Sequence, residues 1–452
     1  THLMTGYLAV LCLPVLGLLT SRRFLTRVRR TALLGLGGLL TAGWVLVPLL
    51  TDKKYSAQSV FYKGTLYNDS YGAKVILRWL VHGSLYDGRH LPVVTILAAI
   101  GMIVCLLHLH EERARILVGL WVLSLLLYFG RVTWGRVIDI LPGAEDLQMH
   151  RFIMGVQLSG ILFAGVGIVT LARLTVRAIT SLSAAYGTRP EALPAGSPPG
   201  LRLLSVSVVA LLGALVLSPS WRETWRYDRG GWNFVEQQRS YDRIDGTSID
   251  ALIRLANERG DGRVYAGTRA NWGPSYKVGF VPVLHEISHN DTDGVGFTFR
   301  TVQSLTTDIE ASFDETNLAQ FEMLNVKYLI APSSRVPSVP HTVVQTLGGS
   351  TLYEIPTSGY FQVVDRIGSI AANRVNINAA TNDFRVSDQA TRNVYPGVAF
   401  DGARPAADTV SGTPDTVPGT VVTQSNRREN GLFEATVFAN RSAVVVLKAT
   451  YD

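Results

Sequence analysis

Apolar residues are concentrated in long stretches before residue 220 and are spread more thinly after it. A helix of roughly 20 apolar residues is needed to cross a bilayer core of about 30 Å. Six stretches without Lys, Arg, Asp or Glu approach this length, at residues 3–20, 31–50, 91–107, 116–129, 152–172 and 203–218. The pattern predicts a transmembrane domain over residues 1–218 with about six helices.

The loops between these stretches predict how the helices are oriented. Residues 21–30 contain five Arg and no acidic residue. A cluster of Arg beside a transmembrane helix favours the cytoplasmic side of the membrane. Alternation from this loop then places residues 51–90, residues 130–151 and the part of the chain after residue 218 outside the cytoplasm.

The chain beyond residue 218 has the shorter periodicities of a water-soluble domain. A Pro/Gly/Ala/Ser linker at 180–200 precedes the sixth helix, which we expect to end at Pro219. The spacing of apolar residues predicts helices at 248–259 and 317–324, and strands at 263–266, 326–331, 361–364, 431–437 and 443–449. A Pro/Thr/Asp/Gly-rich segment at 401–420 predicts a long loop. We therefore expect an α/β domain at 219–360 and a β-rich part at 361–452.

The predicted fold class is thus a polytopic α-helical membrane domain followed by a mixed α/β, β-rich extracytoplasmic domain. Composition supports it, since 47% of the residues are hydrophobic and 17% are charged, against about 25% charged in soluble domains. The net charge of +7 lies largely in short loops and comes without a nucleic-acid-reading motif, which disfavours a nucleic-acid partner. Cys12 and Cys105 both lie in apolar stretches, which excludes a disulfide framework and a paired-cysteine metal site.

The soluble half contains no Gly-rich phosphate loop and no GxSxG motif. His285 and His289 are four residues apart, with Glu286 and Asp291 nearby. Two such histidines on one helix face bind zinc in other proteins. The segment has weak helical character and runs into an Asn-Asp turn, so we favour a solvated loop and assign no metal site.

Two predicted outer loops carry the candidate chemistry. Asp87, Arg89 and His90 stand just before the third stretch, and Arg131, Arg136, His150 and Arg151 lie in the loop after the fourth, together with Asp139, Glu145 and Asp146. Basic side chains at a membrane face clamp lipid-linked phosphates through charge-assisted hydrogen bonds. The alternative is that these side chains anchor helices at the headgroups. For the two loops together we hold both interpretations open.

Aromatic residues crowd the first outer loop, at Tyr55, Phe61, Tyr62, Tyr67, Tyr71, Trp79 and Tyr86. Aromatic residues at an interface usually form a belt at the headgroup level. They also stack on the apolar faces of sugar rings. We favour the belt and keep sugar stacking as the alternative.

Four segments of this sequence resemble a known family. They are GSLYDGRHLP at 83–92, Leu141-Pro142 with the later His150-Arg151-Phe152, GRVYAG at 262–267, and FEMLNVKYLIAP at 321–332. Together they resemble the YfhO-like, pyruvoyl-tetrahydropterin-synthase-related bacterial membrane proteins of the GT-C glycosyltransferase superfamily. The resemblance implies an enzyme that moves a sugar from a polyprenyl-phosphate donor to a cell-envelope glycan or lipid on the outer face of the plasma membrane.

The resemblance also implies roles for individual residues. Arg89 and Arg151 would contact the donor phosphate, Asp87 would be a supporting acid, and a divalent metal such as Mg or Mn could assist. The catalytic carboxylate of the family lies in an early outer loop, and we expect this chain to be the C-terminal part of a longer protein. The alternative function is a non-enzymatic envelope protein, anchored among membrane lipids, whose outer domain binds glycans. A transporter is disfavoured, since none of the six stretches contains a charged residue.

Overall fold

The structure, a computed structural model, describes residues 3–20, 24–56, 64–88, 91–185, 199–289, 292–296, 304–412, 416–427 and 430–449. The chain divides into two compact units. The first consists of Thr1–Val47 with Phe61–Gly230, and the second of Pro48–Val60 with Gly231–Asp452.

The N-terminal part of the chain is helical. Its α-helices are α1 (Leu3–Leu18), α2 (Phe24–Thr41), α3 (Gly43–Thr51), α4 (Leu66–Asp69), α5 (Ala73–Val81), α6 (Val93–Leu107), α7 (Glu112–Trp134), α8 (Ile153–Ala185) and α9 (Pro199–Tyr241). Three short 3-10 helices, Gly135–Ile140, Ala144–Asp146 and Met149–Phe152, connect α7 to α8. All six apolar stretches are helical, and the second is divided between α2 and α3.

Three helical segments of the described chain are long and apolar enough to cross a membrane: Glu112–Ile140, Met149–Ile179 and Val206–Arg259. Large apolar side chains lie exposed on α2, α8 and α9, among them Leu34, Leu158 and Leu211. An exposed apolar surface of this extent is costly in water and fits contact with lipid. The chain is therefore a membrane protein with a helical N-terminal region.

The prediction that the sixth helix ends at Pro219 is wrong. Helix α9 continues through Pro219 to Tyr241. A proline inside a helix removes one hydrogen bond and costs about 3 kcal/mol, and the helical residues on both sides outweigh this cost. Of the predicted linker at 180–200, residues 186–198 lie outside the described residues.

Helices α6 and α8 pack with their backbones in close contact. A Cβ atom at Gly101 of α6 would collide with the carbonyl group of Phe163, and a Cβ atom at Gly167 of α8 would collide with the carbonyl group of Leu97. Small residues permit such close approach, which is a main source of helix association in membranes. The glycines of this contact therefore fix how α6 and α8 pair.

The second unit is a mixed α/β structure. Its helices are α10 (Thr247–Arg259), α11 (Val283–His289), α12 (Thr307–Ala311), α13 (Leu318–Leu324), α14 (Ile377–Ala380) and α15 (Asn382–Val386). Its strands are β1 (Arg263–Tyr265), β2 (Lys277–Val278), β3 (Val281–Pro282), β4 (Gly294–Val295), β5 (Val326–Pro332), β6 (Thr342–Leu347), β7 (Ser350–Glu354), β8 (Phe361–Ala372), β9 (Val394–Phe400), β10 (Gly419–Arg427), β11 (Leu432–Ala439) and β12 (Val444–Leu447).

A five-stranded sheet of order β4-β1-β5-β7-β6 forms the centre of this unit. Strand β1 is parallel to β4 and β5, whereas β7 is antiparallel to β5 and β6. Side chains alternate across β5, so Tyr328 and Ile330 belong to the core beneath α10, while Leu329 and Ala331 belong to the core on the opposite face. The predicted helices at 248–259 and 317–324 and the strands at 263–266 and 326–331 are confirmed to within two residues.

The C-terminal part adds a three-stranded sheet of order β12-β8-β9 and the antiparallel pair β10-β11. The strands predicted at 361–364, 431–437 and 443–449 are confirmed as β8, β11 and β12. The described residues between β9 and β10 form neither helix nor strand, as predicted for this Pro-rich segment.

Two glycines of α8 provide a test of the contact between α6 and α8. Gly167→Ala places a methyl group against backbone, and we expect it to lower stability by about 1–3 kcal/mol. Gly165→Ala is the matched control, since nothing lies within 4 Å of its Cβ position, and we expect it to raise stability by about 0.5–1 kcal/mol through helix propensity. Thermal unfolding of the purified protein in nanodiscs measures both changes. Equal effects of the two substitutions would contradict this packing.

Candidate functional site

The segment between α4 and α5 packs on the end of α7. Gly130 has a φ of +64°, and a Cβ atom there would collide with the carbonyl oxygen of Asp69. The Ser70 hydroxyl donates a hydrogen bond of 2.5 Å to the carbonyl oxygen of Tyr128, and the backbone N–H of Ala73 donates one of 2.7 Å to Thr133 Oγ1. The glycine thus lets the predicted outer loop lie directly on the helix.

Arg131, a predicted phosphate ligand, instead forms hydrogen bonds that link the loops on either side of α7. Its Nη1 donates hydrogen bonds to the carbonyl oxygens of Asn68 at 2.9 Å and Leu147 at 3.0 Å, and its Nη2 donates to that of Ala144. Its guanidinium also lies 3.6 Å from the carboxylate of Asp69. With these partners the guanidinium positions the two segments that flank α7, and it has little capacity left for a ligand.

His150 and Arg151 lie among three tyrosines, which we call the tyrosine cluster: Tyr67, Tyr71, Tyr128, His150 and Arg151. The His150 ring centroid is 5.4, 5.7 and 6.1 Å from those of Tyr67, Tyr71 and Tyr128. The Arg151 guanidinium carbon lies 5.3 Å from the Tyr67 ring centroid, in a cation–π contact. The fold therefore joins residues from both predicted outer loops and from α7.

Tyr128 Oη and His150 Nδ1 of the tyrosine cluster are buried, and neither atom has a hydrogen-bond partner in the described part of the chain. A buried polar atom without a partner costs roughly 1–3 kcal/mol, so such atoms usually receive a water or ligand. The tyrosine cluster thus combines aromatic rings, a guanidinium and the buried polar atoms Tyr128 Oη and His150 Nδ1.

Asp87, the predicted supporting acid, caps α6. Its carboxylate accepts hydrogen bonds of 2.8 Å from the backbone N–H groups of Val94 and Thr95, and one of 2.6 Å from the Thr95 hydroxyl. The residue is only 9% exposed. A carboxylate at a helix N-terminus satisfies N–H groups that have no partner within the helix, and this explains the position of Asp87 without catalysis.

The other predicted residues do not join the tyrosine cluster in the part of the chain that the structure describes. Arg136, Asp139, Glu145 and Asp146 lie exposed on the segments between α7 and α8. Of the remaining predictions, Arg89, His90, Phe61, Tyr62 and Asp291 lie outside the described residues.

The expected loop around His285 is a helix, α11. Val283, Leu284 and Ile287 are buried, and this burial stabilises a helix that local propensity alone does not predict. His285 and Glu286 line a cavity of about 560 Å³ together with Gln238, Asp242 and Asp250, among others.

The pKa of His285 is lowered by its burial and by the positive charge of Arg269. Within the described ranges, no group of three or more His, Cys, Asp or Glu is arranged to hold a metal ion.

A fully buried cation links the central sheet to its surroundings. Arg263 is 3% exposed, and its guanidinium lies 3.0 Å from Asp293 and 3.2 Å from Glu310. Burial lowers the pKa of Arg263, but the two carboxylates outweigh burial and raise it above the ordinary value. Arg263 therefore remains positively charged, and its ion pairs join β1 to the segments on either side.

A second buried cation holds the terminal strand. Lys448 directly follows β12, and its Nζ lies 2.7 Å from Glu322 of α13 and 2.7 Å from Ser358 Oγ. Burial lowers the pKa of Lys448, and Glu322 offsets only part of this effect. Breaking such a pair from one side leaves an uncompensated buried charge.

Tyr128 and the buried charges of the second unit were not among the residues predicted from the sequence. The local signal for Tyr128 was a single phenol in the apolar run LSLLLYFG, which ends at Gly130 directly before Arg131. Arg263 gave no such signal, because its partners lie 30 and 47 residues away.

The helix-capping role of Asp87 gives a testable prediction. Asp87→Ala removes three accepted hydrogen bonds, and we expect a loss of stability of about 1 kcal/mol. Asp87→Asn keeps one acceptor oxygen and should lose less. Asp139→Ala is the control, since this carboxylate is exposed. Thermal unfolding in nanodiscs measures the three variants, and a similar loss for Asp139→Ala and Asp87→Ala would argue against the cap.

Comparison with known proteins identifies the family of the chain. Searches of curated proteins and of solved structures each gave no match. One family model, described as a family of unknown function (DUF6541), matches residues 2–371. This match covers most of the chain, which therefore belongs to the DUF6541 family.

Proposed function

We propose that the chain is a membrane glycosyltransferase of the GT-C type, or part of one. It moves a sugar from a polyprenyl-phosphate donor to a cell-envelope glycan or lipid. The helices form about six spans in a bacterial plasma membrane, and the second unit lies on the extracytoplasmic side. The resemblance of residues 83–92 and 321–332 to the YfhO-like proteins supports this proposal.

The tyrosine cluster is the observation that carries the proposal. Arg151 supplies a cationic donor for a phosphate and His150 a hydrogen-bonding imidazole, and the faces of Tyr67 and Tyr71 suit the apolar face of a sugar ring. Both kinds of group lie where α8 begins, at the end of a segment long enough to span a membrane. A lipid-linked sugar phosphate needs this combination at the membrane surface.

The reaction is a displacement at the anomeric carbon of the donor sugar. The acceptor hydroxyl loses its proton to a carboxylate, its oxygen forms the new bond to the anomeric carbon, and the bond to the phosphate oxygen breaks. Arg151 stabilises the negative charge of the phosphate as it leaves, and His150 forms a hydrogen bond to it.

We assign no catalytic base and no metal-dependent step. The carboxylate of Asp87 is engaged in the cap of α6, and the described acidic residues do not gather into a metal site.

A second candidate function is a membrane-anchored envelope protein that binds glycans without chemistry. The engagement of Asp87 in the helix cap favours it, since the predicted supporting acid is then occupied by backbone N–H groups. The polar cavity beside α11 would hold the glycan, because carboxylates and amides bind sugar hydroxyls. Glycan binding by the full-length protein without any sugar transfer would favour this candidate over the enzyme.

Donor binding tests the role of Arg151. Arg151→Ala removes a charge-assisted hydrogen bond worth about 1.5–3 kcal/mol, so we expect polyprenyl-phosphate affinity to fall roughly 10- to 100-fold. Arg173→Ala is the matched control, because Arg173 lies on α8 roughly 30 Å further along the helix at 1.5 Å per residue. Binding is measured by tryptophan fluorescence of the protein in nanodiscs. An unchanged affinity in Arg151→Ala would refute the assignment.

A further inference from the structure

A cavity of about 250 Å³ in the second unit contains three cationic side chains. They are Arg263, Arg385 and Lys448, which are 3%, 5% and 5% exposed. Charges this deeply buried are normally paired. The pairing of each cation therefore indicates what the cavity can bind.

Arg263 and Lys448 are already paired. Arg263 contacts Asp293 and Glu310, and Lys448 contacts Glu322. The carboxylate of Glu310 is fully engaged, since it also accepts hydrogen bonds from the Thr306 hydroxyl and the backbone N–H of Gly296. These two cations need no further partner.

Arg385 is different, because no carboxylate of the described residues lies within ion-pair distance of it. Its Nη2 donates only to neutral oxygens, namely the carbonyl oxygen of Asn378 at 3.2 Å and Oδ1 of Asn382 at 3.4 Å. Its Nε is buried and has no hydrogen-bond partner among the described residues. Burial lowers the pKa of Arg385. Among the described residues, the cavity thus contains one buried positive charge without a matching anion.

The rest of the cavity wall is mainly apolar. Ile309, Leu324, Phe384 and Val446 contribute to it. Val398, another lining residue, is 47% exposed, so the cavity reaches the surface and a ligand can enter. The wall therefore suits a molecule with an apolar body and one anionic group.

We propose that this cavity binds a small monocarboxylate with an apolar body, whose carboxylate pairs with Arg385. A guanidinium matches a carboxylate through two parallel hydrogen bonds. A phosphate dianion fits less well, because the described part of the cavity wall offers one uncompensated positive charge. At about 30 Å³ per water-sized group, the cavity holds roughly eight non-hydrogen atoms, the size of hexanoate. This site is independent of the proposed glycosyltransferase activity.

Binding of hexanoate to the full-length protein in uncharged nanodiscs tests the proposal. Titration calorimetry compares hexanoate with hexan-1-ol, which has the same apolar body and no charge. We expect hexanoate to bind at least about tenfold more tightly, as for a hydrogen bond to a charged group. Equal affinities, or no binding of hexanoate, would overturn the proposal.

Three variants locate the site. Arg385→Met should lose hexanoate affinity at least about tenfold while the unliganded protein becomes more stable to heat, because an unpaired buried charge is removed. Val446→Phe should also lose hexanoate binding, because the larger side chain fills the cavity while the Arg385 guanidinium is unchanged. Arg392→Met is the control, since Arg392 is exposed and pairs with Asp388 at 2.8 Å. Normal hexanoate binding by Arg385→Met or Val446→Phe would refute this site, as would a loss of binding in Arg392→Met.

Discussion

The close approach of the Asp69–Ser70 backbone to Gly130 is the constraint on which the geometry of the tyrosine cluster depends. A side chain at position 130 would push the outer segment away from α7. With that segment in place, Arg131 reaches the carbonyl oxygens of Asn68 and Leu147 at once. These contacts place the chain that leads into α8. The tyrosine cluster therefore forms as a consequence of backbone packing.

The second unit depends on buried charges in a different way. Arg263 with Glu310 and Lys448 with Glu322 join elements that are far apart in the chain. Such pairs contribute little net stability, because desolvation offsets most of the attraction. Removing one partner, however, leaves the other as an unpaired buried charge. The main effect of these pairs is therefore to specify which elements pack together. Arg385 lacks such a partner within the described residues, and its charge is left to define a ligand pocket.

Prediction from the sequence succeeded where one local pattern was decisive. The apolar stretches became helices, and the alternating run at 326–331 became the central strand β5. It failed at Pro219, where a local helix-breaking signal was outweighed by the helix on both sides. It also failed around His285, where burial of Val283 and Ile287 stabilises a short helix that its own propensity does not indicate.

The sequence by itself determined that the chain has an apolar helical half and a mixed α/β half, because periodicity and hydrophobicity are properties of neighbouring residues. It also indicated that His150 and Arg151 stand beside a long apolar helix. Only the tertiary structure decided that they meet Tyr67 and Tyr128, that Asp87 caps a helix, and that Arg385 is buried with no anionic partner among the described residues. These outcomes depend on contacts between segments far apart in the chain, and such contacts cannot be predicted from a local sequence pattern.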